Sequence, residues 1–68
     1  MITIDGIPVS DYGTVDTGAA VTLTVATQHN AALSGFNVND IVTIAGNVDG
    51  AFSYDGEDTH GQKCFSSI

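Results

Sequence analysis

Asp16, Thr17 and Gly18 form an Asp-Thr-Gly triplet inside VDTGAAVTL, residues 15–23. An aspartate on a tight glycine turn can do acid–base chemistry with a second aspartate, because two close carboxylates share one proton. The residues just before the triplet are SDYGT and Val15, of which only Val15 is apolar. The pattern therefore favours a loop leading into a strand, with Thr17 bonding locally.

The triplet also resembles the catalytic turn of retroviral-type aspartic proteases, over nine residues of 68. That resemblance would imply a flap hairpin and a later apolar segment ending in glycine beneath the turn. VTIAGN, residues 42–47, is similar to this segment, but the chain between the two is too short for a flap. We therefore predict no protease.

Four possible metal ligands fall within the six residues DGEDTH, namely Asp55, Glu57, Asp58 and His60. Calcium prefers several oxygens from a flexible loop, but the EF-hand spacing is absent, since the glycine falls at position 61 and no glutamate closes the loop. The sequence predicts a solvated acidic loop and no metal or cofactor. Weak calcium binding by residues 55–60 is the open alternative.

Cys64, His29 and His60 are the remaining candidates for chemistry, as a thiol nucleophile with a base. Such pairs are defined by geometry rather than by spacing. Cys64 lies in a predicted strand beside Phe65, where a free cysteine behaves as a small hydrophobe. We predict no catalytic residue and no enzyme.

The chain of 68 residues is interpreted as one domain, residues 1–68. A domain of about 60 residues buries only about 60% of its unfolded surface, so small folds usually add disulfides, a metal or oligomerisation. Cys64 is the one cysteine, which excludes an internal disulfide and a cysteine-rich zinc site. We therefore expect stability to come from partners, including other copies of the chain in a homo-oligomer.

Lys63 is the one lysine and there is no arginine, so the net charge is -7 although only 13% of residues are charged. A phosphate-binding surface needs several basic residues, and so does a patch for anionic lipid. No apolar stretch approaches the roughly 20 residues that span a bilayer, and MITIDGIPV lacks the features of a secretory signal. We expect synthesis in a cytoplasm, with neither nucleic acid nor membrane as a partner.

The patterning indicates strands and turns, because no stretch of ten residues keeps a helical apolar spacing. ITI and IPV flank Asp5 and Gly6, a pair that closes a type I′ hairpin, and Pro8 places the second strand at an edge. Residues 21, 23 and 25 of VTLTV are expected to share one apolar face. The remaining stretches are assigned as loop 10–18, loop or helical turn 28–35, strand 36–46, turn 47–50, strand 51–54, polar loop 55–62 and strand 63–68.

Within the stretch 36–46, regular pairing would put Val38, Val42 and Ile44 on one face, with Ile41 near a bend. The assignment gives five or six short strands at intervals of roughly 8 to 12 residues. The predicted fold is all-β, a small single-domain sandwich or open barrel.

The strands have little edge protection. Lysines and prolines normally block sheet edges, and this chain has little besides Lys63 and Pro8 for that role. Unprotected edges often pair with another copy or with a partner's sheet. The terminal segments and the loop around Tyr12 are therefore expected at an interface. The expected interface residues are Ile2, Ile4, Ile7, Val9, Tyr12, Phe65 and Ile68.

In style the chain resembles small virion proteins of tailed bacteriophages, of the capsid decoration or cement type. The resemblance is carried by ITIDGIPV, VTLTVAT and FNVNDIVTIAGNVDGAF. It implies a non-enzymatic structural protein that is made in the host cytoplasm, sits on the capsid exterior and binds the major capsid protein or another virion protein. The acidic balance suits an exterior position, since a protein facing packaged DNA tends to be basic.

Two other function classes remain open at this stage. A small acidic inhibitor or nucleic-acid mimic would occupy a basic groove of another protein. A receptor- or carbohydrate-binding accessory domain would use exposed aromatic residues with nearby polar groups, such as Tyr12, or Tyr54 with Asp55.

Overall fold

One antiparallel sheet makes up the fold in the computed structural model, which describes residues 1–10 and 13–68. Its strands are β1 (Ile2–Ile4), β2 (Ile7–Val9), β3 (Gly13–Asp16), β4 (Val21–Val25), β5 (Ile41–Gly46), β6 (Gly50–Glu57) and β7 (Lys63–Ser67). The sheet has the order β2-β1-β5-β6-β7-β4-β3 and curls into a half-barrel. The all-β class is confirmed, with seven strands in the described part of the chain rather than five or six.

The β1–β2 hairpin forms as its sequence predicts. Asp5 and Gly6 have φ of 50° and 83°, the positive pair that a type I′ turn requires. The Asp5 carboxylate accepts the Thr43 N–H at 2.7 Å, and the Asp5 N–H donates to the Thr43 carbonyl at 2.8 Å. These bonds attach the turn to β5, and Pro8 lies in edge strand β2, where its missing N–H leaves no ladder bond unmade.

Strand β3 lies in a stretch that the sequence predicts to be a loop. Gly13 to Asp16 pair with Thr24 to Val21 of β4, and the connecting turn is closed by the Thr17 N–H donating to the Ala20 carbonyl at 3.0 Å. Loop-forming residue types do not prevent strand pairing when a strong neighbour such as β4 supplies the ladder.

The two edges of the sheet, β2 and β3, are consecutive in the chain. Three residues, 10–12, separate Val9 from Gly13. Consecutive Cα atoms are about 3.8 Å apart, so the two edges lie within roughly 15 Å of each other at that point. A flat seven-stranded sheet would separate its edges by about 29 Å, so this connection requires the sheet to curl.

The core fills the inside of the curl. Its buried members are Ile2, Ile4, Val9, Leu23, Val25, Leu33, Val42, Ile44, Phe52, Tyr54 and Phe65. Ten come from alternating strand positions, and Leu33 comes from the long connection between β4 and β5, which also contains a 3-10 helix, Thr27–His29. The alternation predicted for β4 is confirmed, with Leu23 and Val25 fully buried and Val21 partly so.

The predicted strand 36–46 begins later than its sequence indicates. Asn39 adopts φ 75°, a left-handed conformation that ends extended pairing, and β5 starts at Ile41. Val38 therefore does not join Val42 and Ile44 on the core face, and 59% of its surface is exposed. Strand β6 is longer than predicted because a bulge between Tyr54 and Gly56 lets pairing with β7 continue to Glu57.

Replacing Gly46 with alanine tests how closely β1 packs on β5. The new Cβ would lie 2.6 Å from the Met1 carbonyl oxygen and 3.0 Å from the Ile2 Cα, at φ +119°. Because backbone atoms cannot rotate away, we expect the free energy of unfolding to fall by about 2 to 4 kcal/mol, measured by urea denaturation.

Two matched variants separate steric conflict from backbone strain. Gly18→Ala has φ +83° but open space around its Cβ, so strain alone should cost about 1 kcal/mol. Gly35→Ala has open space and no positive φ, so it should change stability little. A Gly46→Ala effect no larger than that of Gly18→Ala would contradict the close approach.

Candidate functional site

The segment 36–41 holds two apolar side chains out on the surface. Tyr54 of β6 fixes it twice, since the Asn39 N–H donates to the Tyr54 carbonyl at 2.8 Å and the Tyr54 N–H donates to the Asp40 carbonyl at 2.9 Å. The Asp40 carboxylate also accepts the Asn37 N–H at 2.9 Å. Val38 and Ile41 are therefore exposed on an anchored backbone, each at 59%.

Phe36, the first residue of this segment, packs against two aromatic rings of the core. Phe36 meets Phe65 edge to face at 6.2 Å and 86°, and it meets Tyr54 at 6.4 Å. Tyr54 and Phe65 are 5.1 Å apart. Rings in such offset or edge-to-face contact stabilise each other beyond their burial. Phe36 thus attaches the start of the segment to the core.

Large apolar side chains are exposed at five described positions, Met1, Val15, Val38, Ile41 and Ile68. Single exposed apolar residues are normal on protein surfaces. Val38 and Ile41 differ in lying three residues apart on one anchored segment. Sequence reasoning did not single them out, because residues 36–46 were assigned to one strand with Ile41 near a bend, although Asn39 and Asp40 are residue types that favour turns.

The structure reduces the expected interface set. Ile2, Ile4, Val9 and Phe65 are at most 1% exposed, because strand alternation turns them into the curl instead of outward. As side chains, they cannot contact a partner in this fold.

The other expected interface residues are placed differently. Ile7 is partly buried against the core, and Ile68 is 77% exposed. Tyr12 lies outside the described residues. Among the expected interface residues that the structure describes, Ile68, and in part Ile7, keep surface that a partner could contact.

The one lysine of the chain is buried. The side chain of Lys63 is 9% exposed, and its Nζ donates to Glu57 Oε2 at 3.1 Å and to Tyr54 Oη at 3.3 Å. Burial by itself lowers the pKa of Lys63, but the bonds to Glu57 and Tyr54 outweigh it and leave the pKa raised. The exterior of this protein therefore has no lysine or arginine.

Because the pKa of Lys63 is raised, the free energy of unfolding should fall as the pH becomes alkaline. A base whose pKa is higher folded than unfolded contributes stability that is complete below the unfolded pKa, 10.5 here, and is lost as pH rises through the folded pKa. Because Glu57 is 46% exposed, we expect a loss of only about 1 kcal/mol. Denaturation between pH 9 and 12 of the wild type and of Lys63→Met measures it, and a Met variant with an equally steep decline would contradict the assignment.

Most carboxylates of the chain build turns. Backbone N–H groups donate to Asp5, Asp16, Asp40, Asp49 and Asp58. The remaining described carboxylates have side-chain partners, Ser66 for Asp55 and Lys63 for Glu57. Aspartate is favoured in turns because its side chain accepts local bonds, as it does at positions 16, 40, 49 and 58, whereas Asp5 bonds across to Thr43 of β5. Much of the acidic composition is thus turn chemistry.

The four candidate ligands of residues 55–60 do not converge. Asp58 accepts the N–H groups of His60 and Gln62 at 2.8 and 2.9 Å, and these bonds, that of Gln62 above all, lower its pKa. Asp55 and Glu57 belong to β6 and bond to β7. Within residues 1–10 and 13–68, no group of three or more His, Cys, Asp or Glu side chains is arranged to hold a metal ion.

The Asp-Thr-Gly triplet forms the β3–β4 turn. The Asp16 carboxylate accepts the Gly18 N–H at 2.8 Å, and Thr17 Oγ1 bonds within the turn at 3.3 Å. All three residues are exposed. The interpretation of Thr17 as locally bonded is confirmed.

Cys64 lies on β7, as predicted, with its thiol donating weakly to the Gln62 carbonyl at 3.7 Å. Burial raises the pKa of Cys64, and the charges of Asp58 and Asp55 raise it further against an opposing bond to Thr24. Since the thiolate is the nucleophile, this environment opposes thiol catalysis.

The rate of alkylation measures how reactive the Cys64 thiol is in the folded protein. We expect iodoacetamide to modify Cys64 several-fold more slowly in the folded protein than in urea at pH 8, because the folded thiol is less ionised and partly covered. Mass spectrometry follows the reaction, and the Asp55→Asn variant, which removes one raising charge, should react faster than the wild type. Equal rates for folded and unfolded chains would contradict the raised pKa.

Neither a pocket nor a helix able to cross a membrane is found in the described part of the chain. Comparison with protein-family models, curated proteins and solved structures returned no match. The features that distinguish this surface are its carboxylates without exposed lysine or arginine and the anchored pair Val38 and Ile41.

Proposed function

We propose that this chain is a non-enzymatic structural protein that works by binding other proteins, and specifically a capsid decoration protein of a tailed bacteriophage. The observation that carries the binding role is the exposed pair Val38 and Ile41, held by an anchored backbone in a segment that begins with Phe36, which packs on the core. Apolar side chains that are already ordered lose little entropy on binding.

The proposed partners are other copies of the chain and the major capsid protein or another virion protein. A protein that binds only the assembled shell stabilises it by mass action, and many copies multiply a small gain per site. Charge supports the exterior position. With the single lysine buried against Glu57, the surface offers no lysine or arginine to packaged DNA.

Among the expected interface residues, the proposal now uses exposed ones only. Val38 and Ile41 replace the four core residues, and Ile68 keeps its role because 77% of its surface is exposed. The accessory-domain alternative loses one of its two aromatic candidates, since Tyr54 is 5% exposed and its hydroxyl accepts from Lys63. Tyr12, the other candidate, lies outside the described residues.

The acidic inhibitor or nucleic-acid mimic stays as a second candidate, because the surface carries carboxylates without exposed lysine or arginine. Against it, five carboxylates are tethered to backbone N–H groups at separate turns. Their positions are therefore set by the turns that they build.

Light scattering and thermal melts across protein concentration test the assembly role. We expect a dimer or trimer whose melting temperature rises with concentration, because oligomerisation stabilises the folded state by mass action. Val38→Asp and Ile41→Asp should shift the mass to monomer, whereas Val15→Asp, at an equally exposed site on β3, should not. A monomer at every concentration would contradict self-assembly.

Salt separates the two candidate functions. Copies that each carry -7 repel one another, so apolar association between them should strengthen when salt screens that repulsion. Binding of an inhibitor to a basic groove should instead weaken with salt. If the association of the chain with its partner weakens between 50 and 500 mM NaCl, the result would favour the inhibitor function over the structural one.

A further inference from the structure

His29 sits where the two edges of the sheet are joined. Its Nε2 atom lies 3.2 Å from the backbone N of Ser10, the first residue of the connection between β2 and β3. A backbone N–H can only donate, so Nε2 must accept and the ring proton must be on Nδ1. This hydrogen bond ties the end of β2 to the segment that follows β4.

The position of the ring is set by the core. The His29 carbonyl accepts the N–H of Leu33 at 3.2 Å, and Leu33 is fully buried. On the other side, Asn30 Nδ2 donates to the Gly61 carbonyl at 3.1 Å. The imidazole is therefore presented to Ser10 by a backbone that is anchored twice.

Protonation reverses the role of Nε2. A protonated imidazole donates from both ring nitrogens, so Nε2–H would point at the Ser10 N–H and the bond would be lost. The side-chain nitrogen of Gln28 lies 3.3 Å from the same Nε2. By rotating its amide, Gln28 can accept from the protonated ring, whereas the backbone of Ser10 cannot change its role.

We propose that His29 is an acid-sensitive latch, which holds β2 to the β4 side of the half-barrel when it is neutral and releases it when it is protonated. Histidine is the side chain whose charge changes in mild acid. Mild acid would thus loosen the contact between the end of β2 and the segment that follows β4. The inference is independent of the proposed function.

The charged groups around the latch are few. Within residues 1–10 and 13–68, no carboxylate lies within 4.0 Å of His29. Asp58 and His60 belong to the loop that carries Gly61, which packs against Asn30. Asp11 follows Ser10 in the chain and lies outside the described residues.

The exchange of the Ser10 amide with solvent deuterons, followed by NMR from pH 8 to pH 5, tests the latch. After correction for the intrinsic pH dependence of exchange, we expect protection at Ser10 to fall roughly two- to tenfold, the worth of one exposed hydrogen bond. The midpoint should coincide with that of the His29 ring resonances. Midpoints that differ, or protection that does not change, would overturn the proposal.

Matched variants assign the effect to one side chain. His29→Gln should abolish the pH response, whereas His60→Gln, the same change on the neighbouring loop, should retain it. Asp11→Asn should also retain it. A response that survives in His29→Gln, or disappears in either of the other two variants, would overturn the assignment, and the wild-type midpoints test the latch even if His29→Gln does not fold.

Discussion

The structure depends on one constraint, which is that a single sheet must enclose its own core. A chain of 68 residues has no second layer to cover an apolar face. The connection of three residues between β2 and β3, the two edges of the sheet, forces the curl that brings the inner faces together. Ten core residues then point inward from the strands, and Leu33 is added from the connection between β4 and β5.

The surface follows from the same constraint. Short strands need many turns, and the turns here recruit aspartates that accept backbone N–H groups. The only lysine is buried, where it donates to Tyr54 and Glu57. It is therefore not on the surface, where it could offset the negative charge of the aspartates. The acidic exterior is therefore in large part a product of how the fold is built, and it also limits which partners the protein can meet.

Local sequence patterns predicted much of the fold. The β1–β2 hairpin follows from Asp5 and Gly6, because few residue pairs adopt two positive φ angles in succession. Strand β4 follows from the alternation of Thr22 and Thr24 with apolar neighbours. Strand β3 was missed because its pairing energy comes from β4, and the start of β5 was misplaced because a left-handed Asn39 interrupts an otherwise continuous apolar pattern.

The sequence by itself determined the all-β class, the turn positions and the absence of a disulfide or a basic surface, since these follow from residue types and short-range geometry. Only the tertiary structure decided which apolar residues are inside. Ile2, Ile4 and Phe65 went into the core while Val38 and Ile41 stayed outside. A strand pattern gives two alternating faces, but which face becomes the interior depends on how the sheet curls, and that is set by contacts between residues far apart in the chain.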